Sequence, residues 1–196
     1  MSFENSTIMK LAGVCGIVGP VVALSLVLLA VASSPWFTWE GNALSDLGVR
    51  EAAVLFNSGV IFAGILNFFF AVGVRVSLKK TLLTNVGTIV LIAGGASLAL
   101  VGIFTESTPA IHSAVSLGYF VIFPVALIIV GAGLARGEAK AFGPITVLAG
   151  IAALVAIFGT AQFYEGLAIP EILEALILAA WSVSMGARLL TQTSKV

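Results

Sequence analysis

Apolar residues form long stretches of this chain, and polar residues are confined to the gaps between them. A bilayer core about 30 Å thick needs about 20 apolar residues in a helix that rises 1.5 Å per residue. The stretches long enough to cross are Met9–Ala32, Ala52–Val74, Thr81–Phe104, Ile111–Leu134, Phe142–Phe163 and Pro170–Leu189. They exceed the roughly 9–11 residues of a membrane β-strand and do not alternate with polar residues, so the pattern predicts transmembrane helices.

The composition agrees with this prediction. Of the 196 residues, 60% are hydrophobic and 9% are charged, whereas a soluble domain carries roughly 25% charged residues. This excludes a water-soluble globular enzyme and a disordered protein. The nine basic and nine acidic residues cancel, which excludes a nucleic-acid-binding protein with a basic surface. The gaps leave no room for a soluble domain, so we expect a single all-α integral membrane domain over residues 1–196.

The charged residues predict the orientation of this domain. Eight basic residues fall on one side of the predicted spans, namely Lys10, Arg75, Lys79, Lys80, Arg136, Lys140, Arg188 and Lys195, and only Arg50 falls on the other. Because basic residues are enriched in cytoplasmic loops, both termini are expected in the cytoplasm, with the protein in the cell membrane. The acids are arranged in the opposite way. Glu4 and Glu138 fall inside, and the outer side carries Glu40, Asp46, Glu51, Glu106, Glu165, Glu171 and Glu174.

Six spans with this orientation pair into three outward-facing helical hairpins, which form a six-transmembrane-helix bundle. Each outer connection contains a glutamate: Glu40, Glu106 or Glu165. The first and third connections share the pattern Glu-Gly-x-Ala, which is a faint indication of a repeated helix pair. Acids contribute little to orientation, so their concentration on the outer side points to a polar site there.

The first outer connection offers two interpretations of its charged residues. Asn42 is a good N-cap for a short helix. If that helix continues into the second span, Asp46, Arg50 and Asn57 share one face, although Gly48 can interrupt it. Asp46 and Arg50 then form either an exposed ion pair of about 0.3–0.5 kcal/mol or part of a site.

The second outer connection contains His112, the one histidine of the chain. Thr108 followed by Pro109 predicts the start of a helix. His112 then lies in its first turn, with Ser116 one turn further on the same face. His112 is either an interfacial side chain that bonds a neighbour or a group for proton exchange and ligand contact. Glu106 is expected at the same level of the bilayer.

The third outer connection ends at Pro170, which is suited to a helix start. Glu171 favours the positive end of that helix, which explains it without a function. Glu174 lies on the same face, below the interface, where a carboxylate is costly unless it faces protein or water. We therefore expect Glu174 to line a polar pocket.

Within the spans, Asn67 is more consistent with an interhelical hydrogen bond than with a site. Small residues on the first and third spans predict close helix packing and allow a homo-oligomer. Cys15 alone cannot form an internal disulfide, and His112 alone cannot form a His-rich metal site. No phosphate loop or dinucleotide fingerprint is present, so no metal and no cofactor is expected.

Two segments carry a resemblance to a known family. The first is Asn42–Val49, which reads Asn-Ala-Leu-Ser-Asp-Leu-Gly-Val, followed by Leu55–Gly59, which reads Leu-Phe-Asn-Ser-Gly. The second is Gly102–Glu106, followed by Pro109 and Ile111–Ser113. Together they resemble a prokaryotic family of small six-helix membrane proteins, with bacterial and archaeal members, catalogued as domain of unknown function 998. The resemblance implies the six-helix fold and no reaction. It supports as notable positions Asp46, Asn57, Glu106 and His112.

Three functions remain open. The first is an outward-opening acidic pocket that binds a small polar or cationic ligand or a lipid headgroup, lined by Asp46, Asn57, Glu106, His112 and Glu174. The second is an intramembrane enzyme that acts on lipid at the outer leaflet. In it His112 is the base, Asp46 or Glu106 orients it, and the nucleophile is Ser45, Ser113 or Ser116. The third is a structural or accessory membrane protein.

Overall fold

The computed structural model describes residues 3–137 and 140–193, and these ranges contain helices and turns but no strand. The long helices are α1 (Phe3–Ala32), α2 (Ala53–Ser77), α3 (Leu82–Ile103), α4 (Pro109–Ala135), α5 (Phe142–Leu154) and α6 (Ala168–Thr193). The predicted all-α fold with six spans is confirmed, since α5 and the turns that extend it to Phe163 also reach membrane length. Glu138 and Lys195, which the charge analysis assigned to the cytoplasmic side, lie outside the described residues.

The fifth span is not α-helical over its full length. After Leu154 the backbone continues as a π-helical turn, Val155–Gly159, and then as a 3-10 turn, Ala161–Phe163. The Thr160 hydroxyl donates to the Ala156 carbonyl at 2.5 Å in this region. Hydropathy predicted the extent of the span but not this change of winding, because the π-turn is as apolar as the helix before it.

A short 3-10 helix, Leu44–Val49, lies in the connection between α1 and α2 and ends before α2 begins. The predicted N-cap at Asn42 is wrong by one residue, since Ala43 occupies that position. Ala43 has no side-chain oxygen, so Asp46 does the capping. Its Oδ2 accepts hydrogen bonds from the Ala43 backbone N–H at 3.1 Å and from the Asn42 side chain at 2.7 Å. The helix does not continue from this connection into the second span, so the condition for a shared face of Asp46, Arg50 and Asn57 is not met.

The six helices form a closed ring in chain order. Each helix packs against the next one, and α6 returns to pack against α1. Short connections favour neighbouring antiparallel helices, which accounts for this order. Consecutive connections therefore alternate between the two ends of the bundle.

Aromatic packing and a few hydrogen bonds fix the centre of the ring. Trp181 of α6 packs edge-to-face on Phe70 of α2, with ring centroids 5.7 Å apart, and its Nε1 donates to Thr146 of α5 at 3.1 Å. The Asn67 amide donates to the Leu91 carbonyl of α3 at 2.8 Å, which confirms the predicted interhelical hydrogen bond. A buried amide with a partner avoids the cost of an unpaired polar group.

Large apolar side chains cover the outer surface of the ring. Examples from α1, α3 and α5 are Leu11, Ile89 and Leu148, each more than 60% exposed. A soluble monomer does not expose apolar surface on this scale. The apolar helices and the apolar exterior together make this chain a multi-pass membrane protein.

Candidate functional site

Three connections meet at one end of the bundle, which we call the His112 end. The Gly166 backbone N–H, before α6, donates to the Glu40 carbonyl at 2.7 Å, and Ala168 N–H donates to the Asn42 carbonyl at 2.8 Å. The Ser45 hydroxyl, before α2, donates to Glu106 Oε1, after α3, at 2.6 Å. The two Glu-Gly-x-Ala segments therefore lie side by side.

Two side chains from the long helices hold the 3-10 helix at this end. Glu171 of α6 accepts a hydrogen bond from the Leu44 backbone N–H at 2.6 Å, and this carboxyl is buried. Asn57 of α2 donates from Nδ2 to the Gly48 carbonyl at 2.9 Å. One contact at each end of the 3-10 helix fixes the direction in which Ser45 points.

Asp46 and Arg50 do not form the ion pair that was one interpretation of their spacing. Within the described residues, the one Lys, Arg or His side-chain nitrogen within 4.0 Å of a carboxylate oxygen is His112 Nε2, next to Glu106 Oε1. Arg50 instead lies over the Trp36 ring, 4.3 Å from its centroid, a distance at which a guanidinium is attracted to the ring face. Asp46 is left free to cap the 3-10 helix.

His112 is held by a backbone carbonyl. Its Nδ1 lies 2.8 Å from the Phe104 carbonyl oxygen. Since a carbonyl only accepts, Nδ1 must carry the hydrogen. In the neutral ring, Nε2 is then an acceptor. It receives the Ser116 hydroxyl at 3.3 Å and lies 4.0 Å from Glu106 Oε1. The predicted placement of His112 and Ser116 on one helix face is confirmed.

Glu106 joins these groups and is itself partly buried, with 30% of its side chain exposed. Burial raises the pKa of Glu106 above its usual range, and the neighbouring Asp46 carboxyl raises it further. The Ser45 hydrogen bond and His112 act in the opposite direction and lower this pKa. Glu106 is thus a carboxyl that is still partly protonated at pH values where an exposed glutamate is fully charged.

A cavity of about 350 Å³ opens beside these side chains. Its polar wall consists of Ser45, Glu106, His112, Ser113, Ser116 and Glu171. The rest is mainly apolar and comes from α4, the fifth span and the last connection, with Leu117, Phe120, Ile157, Phe158, Ala161 and Leu167. Leu117 and Phe158 are each more than half exposed on the outer surface. The cavity is therefore lined by both polar and apolar side chains, and some of the apolar ones face the bilayer.

A smaller cavity of about 100 Å³ lies on the other side of this polar wall. The two cavities share as lining residues Ser45, Ser116, Phe120 and Glu171. The other lining residues of the smaller cavity are apolar apart from Tyr119, and they come mainly from α1, α2, α3, α4 and α6. A single set of polar side chains thus separates two spaces in the bundle.

Comparison with known proteins places the chain in a family. A family model with the description "Protein of unknown function (DUF998)" matches residues 17–188. The chain belongs to the DUF998 family. No curated protein and no solved structure matches it. The matched range includes the 3-10 helix, the whole polar wall of the cavity and all six helices in whole or in part.

This DUF998 protein brings some of the predicted site residues together. Glu106 and His112 line the larger cavity, and Asp46 lies close enough to Glu106 for the two carboxyls to interact. Asn57 and Glu174 line neither cavity. Asn57 contacts the 3-10 helix instead. Glu174 is fully buried, and neither of its carboxyl oxygens has a hydrogen-bond partner within the described ranges.

The helix dipole explains Glu171 from the sequence alone, but the structure also places Glu171 in the cavity wall. Glu171 is 127 positions from its partner Leu44 in the chain, so no local pattern reveals the contact. The π-turn was missed as well, although Ile157 and Phe158 of that turn line the cavity. π-helical turns occur frequently at functional sites. In the part of the chain described, no group of three or more His, Cys, Asp or Glu side chains is placed to hold a metal ion.

Proposed function

We propose that this DUF998 protein binds an amphiphile with a cationic headgroup, such as an ammonium lipid, in the 350 Å³ cavity at the His112 end. The observation that carries the proposal is the lining of the cavity, which combines two carboxyl side chains with apolar side chains beside the bilayer. Ligand pockets are commonly about 300–1,000 Å³ and mainly apolar, with a few placed polar groups. The volume and the lining of this cavity are typical of such a ligand pocket.

The carboxyl groups in and beside this cavity favour a cation. Asp46, Glu106 and Glu171 lie close enough to interact electrostatically, and no described basic side chain is within ion-pair distance of any of them except His112. An ammonium group has hydrogen-bond donors only. The Glu106 carboxylate accepts hydrogen bonds, as does His112 Nε2 in the neutral ring, so these two groups suit an ammonium.

The apolar lining favours a ligand with a hydrocarbon chain. Leu117 and Phe158 border the cavity and are exposed on the outer surface. A chain that extends past them would contact bilayer lipid, so the ligand can reach the cavity from the membrane. With the positive-inside rule, the cavity opens on the outer side and both termini are cytoplasmic.

Binding of dodecylammonium, with dodecanol as the uncharged probe of equal chain length, tests this proposal. The wild type should prefer the ammonium probe in a tryptophan-fluorescence or thermal-shift titration. Glu106→Gln should lose this preference by roughly ten- to hundredfold, because a hydrogen bond to a charged group contributes about 1.5–3 kcal/mol. Since the pKa of Glu106 is raised, affinity should fall as the pH drops through that raised pKa, and this dependence should weaken in Glu106→Gln.

Glu165→Gln is the matched control, since Glu165 is exposed in a connection at the same end and does not line the cavity. It should bind both probes as the wild type does. Equal affinity of the wild type for dodecylammonium and dodecanol contradicts the proposal, as does an equal loss in the two variants.

A second function is favoured by one observation, the Ser116 hydroxyl that donates to His112 Nε2 at 3.3 Å. A serine beside an oriented imidazole is the arrangement of an activated nucleophile. In ester cleavage, Ser116 Oγ would attack the acyl carbonyl, and Nε2 would take its proton and pass it to the leaving alkoxide. Water would then release the acyl group from the serine and restore the hydroxyl.

Release of fatty acid from mixed phospholipid vesicles tests this second function. Ser116→Ala should abolish release, because it removes the nucleophile. Ser33→Ala should not, since Ser33 is an exposed residue at the same end whose hydroxyl bonds its own helix at Leu29. If the wild type releases no more fatty acid than Ser116→Ala, the cavity binds its ligand without cleaving it.

A further inference from the structure

A second large cavity, of about 500 Å³, lies at the opposite end of the bundle, which we call the Lys79 end. Its lining comes from the link between α2 and α3, from the C-terminal end of α4 and from the last turns of α6. Three cationic side chains line it, one from each of these places: Lys79, Arg136 and Arg188. This cavity and the cavity at the His112 end are thus separated by the length of the helices.

The cations of this cavity have no acidic partner among the described residues, where His112 with Glu106 is the only such pair. Arg188 lies over the Phe142 ring, 5.7 Å from its centroid, and Lys79 and Arg136 are exposed. Basic groups near helix C-termini offset the negative end of the helix dipole. That effect explains one cation per helix end, but it does not require the three to share a cavity.

Neutral polar groups complete the lining. Ser77, Thr84 and Gln192 all border the cavity. Gln192 Oε1 is buried and has no hydrogen-bond partner in the described part of the chain. A rotation of the Gln192 amide by about 180° exchanges its oxygen and its NH₂ group. Gln192 can then donate a hydrogen bond to a ligand. The cavity therefore offers positive charge and hydrogen-bond donors together.

We propose that this cavity binds an anionic phosphate group, carried by a lipid headgroup or by a soluble phosphorylated molecule. Guanidinium groups match phosphate oxygens with paired N–H donors, and basic pockets between transmembrane helices are suited to anionic headgroups. The volume of about 500 Å³ leaves room for more than one phosphate-sized group. The site differs from the cavity at the His112 end in place, in charge and in the ligand it selects.

The experiment uses the full chain in phosphatidylcholine nanodiscs, with two probes. Phosphatidylglycerol is mixed into the nanodisc in one arm, and inorganic pyrophosphate is added to the buffer in the other. The wild type should gain thermal stability in a saturable way in at least one arm. Arg136→Gln should weaken that binding about tenfold, which corresponds to about 1.4 kcal/mol, and Lys79→Gln should act in the same direction.

Lys80→Gln is the matched control, because Lys80 adjoins Lys79, is also exposed and does not line the cavity. A response to phosphatidylglycerol alone identifies a lipid as the source of the phosphate, and a response to pyrophosphate identifies a soluble ligand. The proposal is overturned if the wild type responds to neither probe, or if Lys80→Gln weakens binding as much as Arg136→Gln. Arg136 and Lys79 are both exposed, so neither substitution disturbs the core.

Discussion

Glu171 and Glu174 lie one turn apart on the same face of α6 and are both buried, but their surroundings differ. Glu171 accepts a hydrogen bond from Leu44, while both carboxyl oxygens of Glu174 are unpartnered within the described ranges. The sequence could place both on one face from helical periodicity. It could not tell which of them would meet a backbone N–H from a distant connection.

Replacing each carboxyl with methionine should therefore have opposite effects. Glu174→Met removes a buried, unpaired polar group of similar length and should raise the free energy of unfolding by roughly 1–3 kcal/mol. Glu171→Met leaves the Leu44 N–H without an acceptor and should lower it by roughly 1–3 kcal/mol. Thermal unfolding of the purified variants measures both. A loss of stability in Glu174→Met would show that this carboxyl has a partner in the membrane.

At the scale of elements, the 3-10 helix positions the site, and the connection before α6 is packed directly against the segment that leads into it. A Cβ atom at Gly166 would fall on backbone atoms of Gly41 and Asn42. The glycine therefore permits the close approach that the Gly166 and Ala168 hydrogen bonds require. The sequence showed the shared Glu-Gly-x-Ala pattern but not that the two copies touch.

Gly166→Ala should separate the two connections and destabilise the fold by roughly 1–3 kcal/mol, as overpacking of a close contact does. Cavity binding at the His112 end should weaken with it, because the segment beside the 3-10 helix would move. Gly159→Ala is the comparison, since its Cβ would make an ordinary 3.4 Å contact with Val155. Thermal unfolding and the dodecylammonium titration together measure the difference. Similar stability of the two variants would contradict this account.

For the whole molecule, hydropathy and charge were enough to predict the six helices and the separation of acids from bases. Both signals can be read from local sequence. The bilayer core requires long apolar segments, and basic loops determine the orientation. The cavities could not be predicted from the sequence, because they depend on which side chains of different helices come into contact. Glu106 and His112 were recognised because they are polar residues between apolar spans. Ser45 was one of three candidate serines, but no sequence pattern indicated that it would donate a hydrogen bond to Glu106.

The two ends of the bundle are expected in different compartments, with the Lys79 end in the cytoplasm. Single cysteines in a Cys15→Ser background test this, one at Lys80 and one at Glu165, both exposed at opposite ends. A membrane-impermeant maleimide added to intact cells should label the cysteine at position 165 and reach the one at position 80 only after lysis. Labelling of both cysteines, or of position 80 alone, in intact cells would overturn the orientation.

The polar wall at the His112 end draws its groups from widely separated parts of the chain: Ser45 near the start, Glu106 and His112 in the middle and Glu171 near the end. Membrane proteins are synthesised and inserted from the N-terminus onward. This wall is consequently incomplete until the final hairpin has entered the bilayer and α6 has docked on α1. A nascent chain that stops before α6 lacks Glu171 and its hydrogen bond with Leu44. Ligand binding at the His112 end would therefore distinguish fully assembled molecules from partly inserted ones.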